Sequence, residues 1–481
     1  MKITLIQPSN IVTETQARWL EPFLPVGLGL LAALLRDQGH RVQILDAYTE
    51  GWELRGRLAG DMVEVGLAEE EIAAQVRRFQ PQVVGFSVPL DTQALRLQTL
   101  ARWVKAIHPE IYVVCGGAYP SRMVEKVLRL PEVDAVVLGE AEESFPALLR
   151  SLEHGGAWDG LAGVAWKDRS GAFAVRPQRE PRPGWDALPL PAWDLLPLKH
   201  YFQAAGGRRV PLMTSRGCSG SCAYCHTNSL SGEVRRYWPP EALVAQMRQL
   251  SGFFGVNEFL FDDDGLLSDP AWMHEVCDRI IADGLKVQWQ ARGGVDPAAV
   301  NEALLGKMRQ AGGRELRFHV ASGSRRILRQ ILNMPLDLYQ LEKAIDLALA
   351  AGFKVSCRFL LGSPTETQEE IYETLNFAWK LRSRGVEEFR FDPGPALGSD
   401  ATAPASSPDL IIGAAEVEQI QDTAMREFNS RGLVADLTRR MAPGRKPVRT
   451  EERFFPTVAP RPRLHPVIPL DDHTAALDIR S

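Results

Sequence analysis

The chain is expected to be α/β throughout: a doubly wound, Rossmann-like sheet, then a partial (β/α)6 TIM-type barrel, then a small C-terminal region. Three observations predict this. Near-continuous Val/Ile runs alternate with amphipathic stretches over residues 1–155, the pattern of a parallel sheet covered on both faces. A second strand–helix alternation, six units long, begins near Val210. Between them, residues 178–197 (QREPRPGWDALPLPAWDLLP) are rich in proline and lack clean periodicity. The implied domains are 1–155, a linker at 156–205, the barrel at 206–395 and an extension at 396–481.

The first sheet takes Lys2–Gln7, Arg41–Asp46, Gln82–Ser87, Ile111–Cys115 and Asp134–Leu138, with helices expected at Pro25–Gln38, Leu90–Ile107 and Ser121–Leu130. Ligands of such sheets lie beyond the carboxyl ends of the strands. Small residues stand there: Ser9, Ser87, Gly116, Gly117 and Gly139, followed by Glu140. Singly, each glycine reads as a tight turn; together they suggest a large flat ligand or a nucleotide-like tail. In the linker, Trp185 and Trp193 are expected to pin the chain by burial. The barrel strands are VPLMTS from Val210, VNEFLF (256–261), KVQWQAR (286–292), ELRFHVA (315–321), KVSCRFLL (354–361) and EEFRFD (387–392). Chemistry belongs at their carboxyl ends. Beyond Gly398 a helix is expected at 414–430. The Arg/Pro-rich remainder reads either as a tail packed on the barrel or as a cover over its opening.

Composition narrows the function classes. The 481 residues leave room for two or three domains, and 45% hydrophobic with 24% charged residues is ordinary for a soluble protein. A net charge of −5 makes no global case for nucleic acid or an anionic membrane as partner. The start MKITLIQPSN lacks a signal-peptide pattern, and no apolar run reaches the roughly 18 residues a membrane span needs. Six cysteines, three in one motif, do not resemble a disulfide framework. A reducing, cytoplasmic setting is expected.

The motif is GCSGSCAYCH (217–226), in which Cys218, Cys222 and Cys225 are spaced C-x3-C-x2-C just after the first barrel strand. Three thiolates on one loop can ligate three irons of a cubane cluster and leave the fourth iron free to hold a small molecule. The same loop also offers a Cys3His zinc set with His226, although adjacent Cys225 and His226 start on opposite sides of an extended backbone. Cys115, Cys277 and Cys357 read as inert core thiols.

With the strands behind it, GCSGSCAYC resembles the cluster loop of radical S-adenosylmethionine enzymes, as do FLFDDDGLLSD (259–269), ASGSRRIL (321–328) and FLLGSPTETQEEI (359–371). PVGLGLLAALLRDQGHRVQILDA, VVGFS, VVCGGAYPS and VDAVVLGEAEES resemble the cobalamin-binding domain of the cobalamin-dependent (class B) subgroup, so the likeness covers residues 1–395. The resemblance implies a [4Fe–4S] cluster on Cys218, Cys222 and Cys225, S-adenosylmethionine chelated by its open iron, and cobalamin. It implies hydrogen abstraction through a 5′-deoxyadenosyl radical and methyl transfer from methylcobalamin to an unactivated carbon. The alternative is a non-methylating oxidative cyclisation or rearrangement of the anaerobic tetrapyrrole cyclase type. A small-molecule or peptide substrate and an electron donor such as flavodoxin or ferredoxin follow as partners.

Two departures stand out. No D-x-H-x-x-G motif occurs, so cobalt binding would be histidine-free, and Ala321 stands where relatives often carry a glutamate before Ser-Gly-Ser. For S-adenosylmethionine the resemblance points to Tyr224, Asp262, Arg292, Ser322, Ser324 and Arg358. Each has a structural rival: packing beneath the cluster for Tyr224, a solvated carboxylate for Asp262 and helix caps for Ser322 and Ser324. For Arg292 and Arg358 the rival is a salt bridge to Asp262, Asp263 or Asp264.

Overall fold

Five parallel strands form the heart of the first sheet, in the spatial order Arg41–Asp46, Lys2–Gln7, Val83–Ser87, Tyr112–Gly116, Ala135–Val137. The computed structural model describes residues 1–155, 157–168, 170–178, 184, 188–263, 265–394 and 412–429. Trp185, Asp264 and most of the 396–481 extension lie outside these residues.

Alternate side chains of these strands feed two cores, as a pleat with period two requires. Ile3, Leu5, Val83 and Val114 pack under helices Val26–Asp37 and Ala141–His154. Ile6, Val84, Phe86 and Val113 pack under Glu69–Phe79 and Asp91–Ile107. Full burial of each such side chain stabilises by about 1.5–3 kcal/mol, which is why the strands read as unbroken apolar runs.

Three details differ from expectation. The stretch expected as linker contributes Val164–Lys167 and Phe173–Arg176, which extend the sheet antiparallel beyond Ala135–Val137. The helix expected at Ser121–Leu130 is two short helices, Ala118–Arg122 and Val124–Leu128, broken at Met123. A small antiparallel sheet, Asn10–Thr13 with Met62–Val65 and Arg55–Arg57, was not legible in the sequence.

The second sheet has six parallel strands in sequence order: Arg209–Leu212, Glu258–Phe261, Gln288–Ala291, Gly313–Ala321, Lys354–Leu361 and Glu388–Pro393. Phe259, Phe261, Trp289, Phe318, Phe359 and Phe389 pack beneath its helices, with Phe261 and Trp289 stacked at 5.0 Å. The apolar core runs on between the two sheets. Trp193 and Leu196 pack on helix Val26–Asp37, where Gly29 lets Leu196 approach so closely that a Cβ would stand 3.0 Å from its Cδ1. Residues 188–204 are therefore packed structure joining the two halves.

The barrel is open at its sixth strand, whose free edge would expose unpaired backbone groups. Helix Ala414–Asn429, expected from the sequence, covers it. Phe428 packs on Trp379, Phe389 and Phe391 with ring centroids 4.5–5.2 Å apart. The Asn429 amide imitates a seventh strand: its Oδ1 accepts from Phe389 N at 3.0 Å and its Nδ2 donates to Phe389 O at 2.9 Å. Asn429→Ala should lower stability by about 1–2 kcal/mol through these two bonds, read as a lower denaturation midpoint with an unchanged m-value.

Candidate active site

The cysteine loop leaves the first barrel strand through a fixed turn. Asp263 Oδ1 accepts the N–H groups of Thr214 (3.0 Å) and Ser215 (2.6 Å) and the Ser215 hydroxyl (3.0 Å), while its Oδ2 accepts the Thr214 hydroxyl (2.5 Å). Burial pushes Asp263 up to about 6 against the pull of these four bonds. Ser215–Arg216 then pairs antiparallel with Arg236–Tyr237 and closes the base of the loop. Gly217 sits at φ +88°, where a Cβ would meet Val234 O at 2.3 Å, so only glycine fits.

The loop is held from outside its cysteines. Ala223 N donates to Leu332 O at 2.9 Å, and the Asn333 side chain donates to Ser221 O at 2.9 Å. Cys218, Cys222 and Cys225 are half-buried, and Ser219, Gly220 and Ser221 are exposed. Among the described residues no three His, Cys, Asp or Glu side chains converge on one metal-ion position. A tetrahedral zinc needs such convergence, whereas a cubane takes one thiolate on each of three irons. His226 is set beside Arg122 and Asp91 of the first domain, burial and Arg122 holding it below its usual range. Three cysteines on one loop are the donor set that ligates three irons of a cubane.

Beyond the carboxyl ends of the first sheet lies a cleft of about 290 Å³. It sits where the strand order reverses, between Lys2–Gln7 and Val83–Ser87, the place where such sheets bind ligands. Ser87, Gly116, Gly117, Gly139 and Glu140 line it as expected, and Arg216, Leu230 and Ser231 from the cysteine loop and its flanks form the opposite wall. Ser9 does not reach it. The chain turns at Pro8 into the small sheet, where Ser9 is buried and donates to Glu64 at 2.5 Å, which corrects the expectation for that residue. Gln7 takes the strand-end place instead. Its Nε2 donates to Asp46 at 3.2 Å while its Oε1 is buried without a partner. On the rim, Gly27 has nothing within 4 Å of where a Cβ would stand. A glycine floor, an open rim and an unsatisfied amide oxygen fit a broad corrin ring. No histidine lines the cleft among the described residues.

The Glu140 carboxylate is already engaged. It accepts from Arg236 at 2.5 Å, and neighbouring Glu142 accepts from Arg216 at 2.7 Å, so two ion pairs tie the first sheet to the base of the cysteine loop.

At the barrel mouth the predicted residues divide. Tyr224 packs with Ala321, Ile327 and Leu328. Ser322 and Ser324 face helix Gln368–Arg384 rather than the mouth: Ser322 Oγ lies 3.0 Å from Thr374 Oγ1, and Ser324 donates to Glu370 at 3.2 Å. The side-chain contacts expected of that turn are thus spent on packing it. Arg358 pairs with Asp392. Arg292 lies 3.7 Å from Asp262 and pairs with Glu21, a residue from the first domain that the sequence did not single out. Arg390 completes the group, donating to Glu21 at 2.9 Å and to Asp392 at 3.0 Å. Burial raises Asp262 above its usual range despite Arg292. For Glu21 and Asp392 burial is outweighed by the arginines, which hold both below theirs. Between them stands His319, which burial and then Arg358 and Arg317 depress to about 4. Alternation with core residues Phe318 and Val320 was the signal for His319; nothing local marked Glu21.

Comparison with known proteins agrees with this geometry. The B12 binding domain family matches residues 20–149 and the Radical SAM superfamily matches residues 212–378. The chain is similar to an uncharacterized methyltransferase of Pyrococcus horikoshii, 30% identical over 359 residues that cover 74% of this chain and 73% of the relative. It is 28% identical over 412 residues to the cytidylyl-2-hydroxyethylphosphonate methyltransferase of Streptomyces wedmorensis, covering 78% and 76%. The radical S-adenosylmethionine methyltransferase TsrM of Kitasatospora setae shares its fold, with a TM-score of 0.64 at 16% identity over 81% of this chain and 72% of the other. The chain belongs to the cobalamin-dependent radical S-adenosylmethionine enzymes, a family that works with cobalamin, a [4Fe–4S] cluster and S-adenosylmethionine. No helix among the described residues is long and apolar enough to cross a membrane.

Gly27→Phe should leave the melting temperature almost unchanged, because the side chain enters open space, yet weaken cobalamin binding. Overpacking of about 1–3 kcal/mol corresponds to roughly tenfold or more in affinity, read from corrinoid absorbance retained after gel filtration. His319 gives a pH effect. Its folded value, about 4, lies below the usual 6.5, so its stabilisation is complete above pH 6.5 and is lost as pH falls toward 4. The loss is on the order of 3 kcal/mol, and melting curves of His319→Gln should lack that part of the acid limb.

Proposed function

We propose that this enzyme transfers a methyl group to an unactivated carbon of a small-molecule substrate bound at the barrel mouth. The observation that carries the reading is the shared wall: the cleft at the end of the first sheet is closed by Arg216, Leu230 and Ser231, which flank the cysteine loop. Corrinoid and cluster chemistry are thereby set side by side. Cys218, Cys222 and Cys225 would hold the cluster, and Gln7, Ser87, Gly116, Gly117 and Gly139 would hold the corrinoid. With these groups and S-adenosylmethionine bound, the chemistry supplied is hydrogen abstraction and methyl donation.

The chain's own contribution is positioning and exclusion of water. Asp263 fixes the entry of the loop through Thr214 and Ser215. The Glu140–Arg236 and Glu142–Arg216 pairs hold the corrinoid cleft against it. His319 stays neutral near pH 7 among the barrel-mouth arginines, so it neither adds positive charge nor gives up a proton there. The exposed edge Ser219–Ser221 supports approach of a reduced donor of the flavodoxin or ferredoxin type to the cluster loop. A cytoplasmic, reducing setting suits three free thiols on such a loop.

The chain would be reconstituted anaerobically with iron, sulfide and cobalamin, then given S-adenosylmethionine, a reductant and candidate substrates. Methyl transfer yields S-adenosylhomocysteine and 5′-deoxyadenosine together; Cys225→Ala should abolish both while the protein stays folded. 5′-Deoxyadenosine alone, with a cyclised or rearranged product, would replace methyl transfer by the cyclase-type reaction.

A further inference from the structure

Glu21 holds an unusual position. It belongs to the first domain, on an irregular stretch between helices Glu14–Ala17 and Val26–Asp37, yet its carboxylate reaches the barrel mouth. One oxygen accepts from Arg292 Nη2 and the other from Arg390 Nη1 at 2.9 Å. Two guanidinium groups facing one small acid are the usual means of gripping a carboxylate, phosphate or phosphonate. Glu21 shares the pair with two other carboxylates: Arg390 also donates to Asp392 at 3.0 Å, and Arg292 lies 3.7 Å from Asp262. Arg292 Nε is buried with no hydrogen-bond acceptor, since Asp262 is 3.7 Å away, and His319 Nε2 on the next strand is likewise buried and unpaired. The Glu21 side chain is 40% exposed, so it has a route to water once another acid takes over its two arginine bonds.

We propose that the Arg292–Arg390 pair is the recognition site for an acidic group on the substrate, and that the Glu21 carboxylate occupies the pair until that group arrives. The inference rests on the barrel mouth being the substrate site of the proposed reaction. It names the substrate class: a small molecule bearing a carboxylate, phosphate ester or phosphonate. The carboxylate of S-adenosylmethionine is the other source of the same chemistry. The resemblance points to Arg292 for that cofactor as well as to the open iron at the cysteine loop, which follows the first barrel strand, so the titration carries an arm for it. Arg390 stands on the sixth, at the other edge of the sheet. The pair thus spans from the third strand to the sixth, wide enough to face an acid bound across the mouth. Glu21 acts here as a tethered competitor: an intramolecular carboxylate is present at an effective concentration in the millimolar range or above, so only an acid of real complementarity displaces it.

The test is a calorimetric titration of the cluster- and cobalamin-loaded chain with methylphosphonate, without S-adenosylmethionine. Glu21→Gln should bind methylphosphonate roughly tenfold or more tightly than the unaltered chain, because the tethered competitor is gone. Glu21→Gln combined with Arg390→Gln should lose that gain. Glu21→Asp keeps the charge but shortens its reach, and should fall between; it serves as the readout should Glu21→Gln melt early. Equal binding by the unaltered chain, Glu21→Gln and Glu21→Asp would overturn the proposal. So would a gain confined to S-adenosylmethionine and absent for its decarboxylated analogue, which would give the arginines to the cofactor. The titration needs no turnover, so its failure is distinguishable from failure of the methyl-transfer reading, which rests on the two nucleoside products.

Discussion

Two buried ion pairs, Glu140 with Arg236 and Glu142 with Arg216, decide where the cleft at the end of the first sheet stands relative to the cysteine loop. The Glu142 and Arg216 side chains are 6% and 12% exposed. Removing such charges from water costs several kcal/mol per ion, which their attraction only roughly offsets. Such pairs add little stability, but they define one relative placement, because any slip leaves an uncompensated buried charge. Between the sheets, apolar burial is supplied by the seam in which Trp193 and Leu196 pack on helix Val26–Asp37. Apolar area holds the two sheets together and the ion pairs orient them. The shared wall of cleft and loop is the product of that division.

The same logic runs through the barrel. Its outward-facing strand residues are large and apolar, while the inward set on the last four strands includes Arg292, Arg317, His319, Arg358, Arg390 and Asp392. Such a set in a small space is tolerable only where every charge is matched or every base is neutral. Glu21 and Asp392 supply matches, and His319 yields its proton. Asp263 follows a different course. Its carboxylate is turned away from the arginines and given to Thr214 and Ser215, so it is a fixture of the backbone at the point where the chain enters the cysteine loop.

Much of this was legible in the sequence because it rests on local periodicity. The strand Lys354–Leu361 was placed to the residue, and the covering helix Ala414–Asn429 within one. The cysteine loop was legible because three thiols in eight positions have few other uses. What was not legible depends on contacts between residues far apart in the chain. Glu21 meets Arg292 and Arg390 across more than 250 residues, and no spacing rule connects them. Ser9 misled because a strand-end serine looks the same whether the chain continues straight or turns at Pro8. Ser322 and Ser324 misled for a related reason: their hydroxyls satisfy a helix packed against them, and that helix begins some 45 residues later.

The end of the fourth barrel strand shows what replaces those side chains. Ala321 sits at φ +62°, a left-handed conformation that costs a residue with a Cβ about 1–2 kcal/mol. Glycine would adopt it freely, so the methyl must be retained for what it touches. It packs in one cluster with Ile327, Leu328 and Leu332, against which Tyr224 lies. Gly323 explains the rest: a Cβ there would meet Glu373 O at 2.7 Å, because helix Gln368–Arg384 presses on the turn. Between the left-handed alanine and the tightly packed glycine, Ser322 and Ser324 turn toward helix Gln368–Arg384. The surface they leave is apolar and adjoins the cysteine loop through the Ala223 N to Leu332 O bond. The apolar Tyr224 cluster and the charged Glu21–Arg292–Arg390 group are thus separate parts of the barrel.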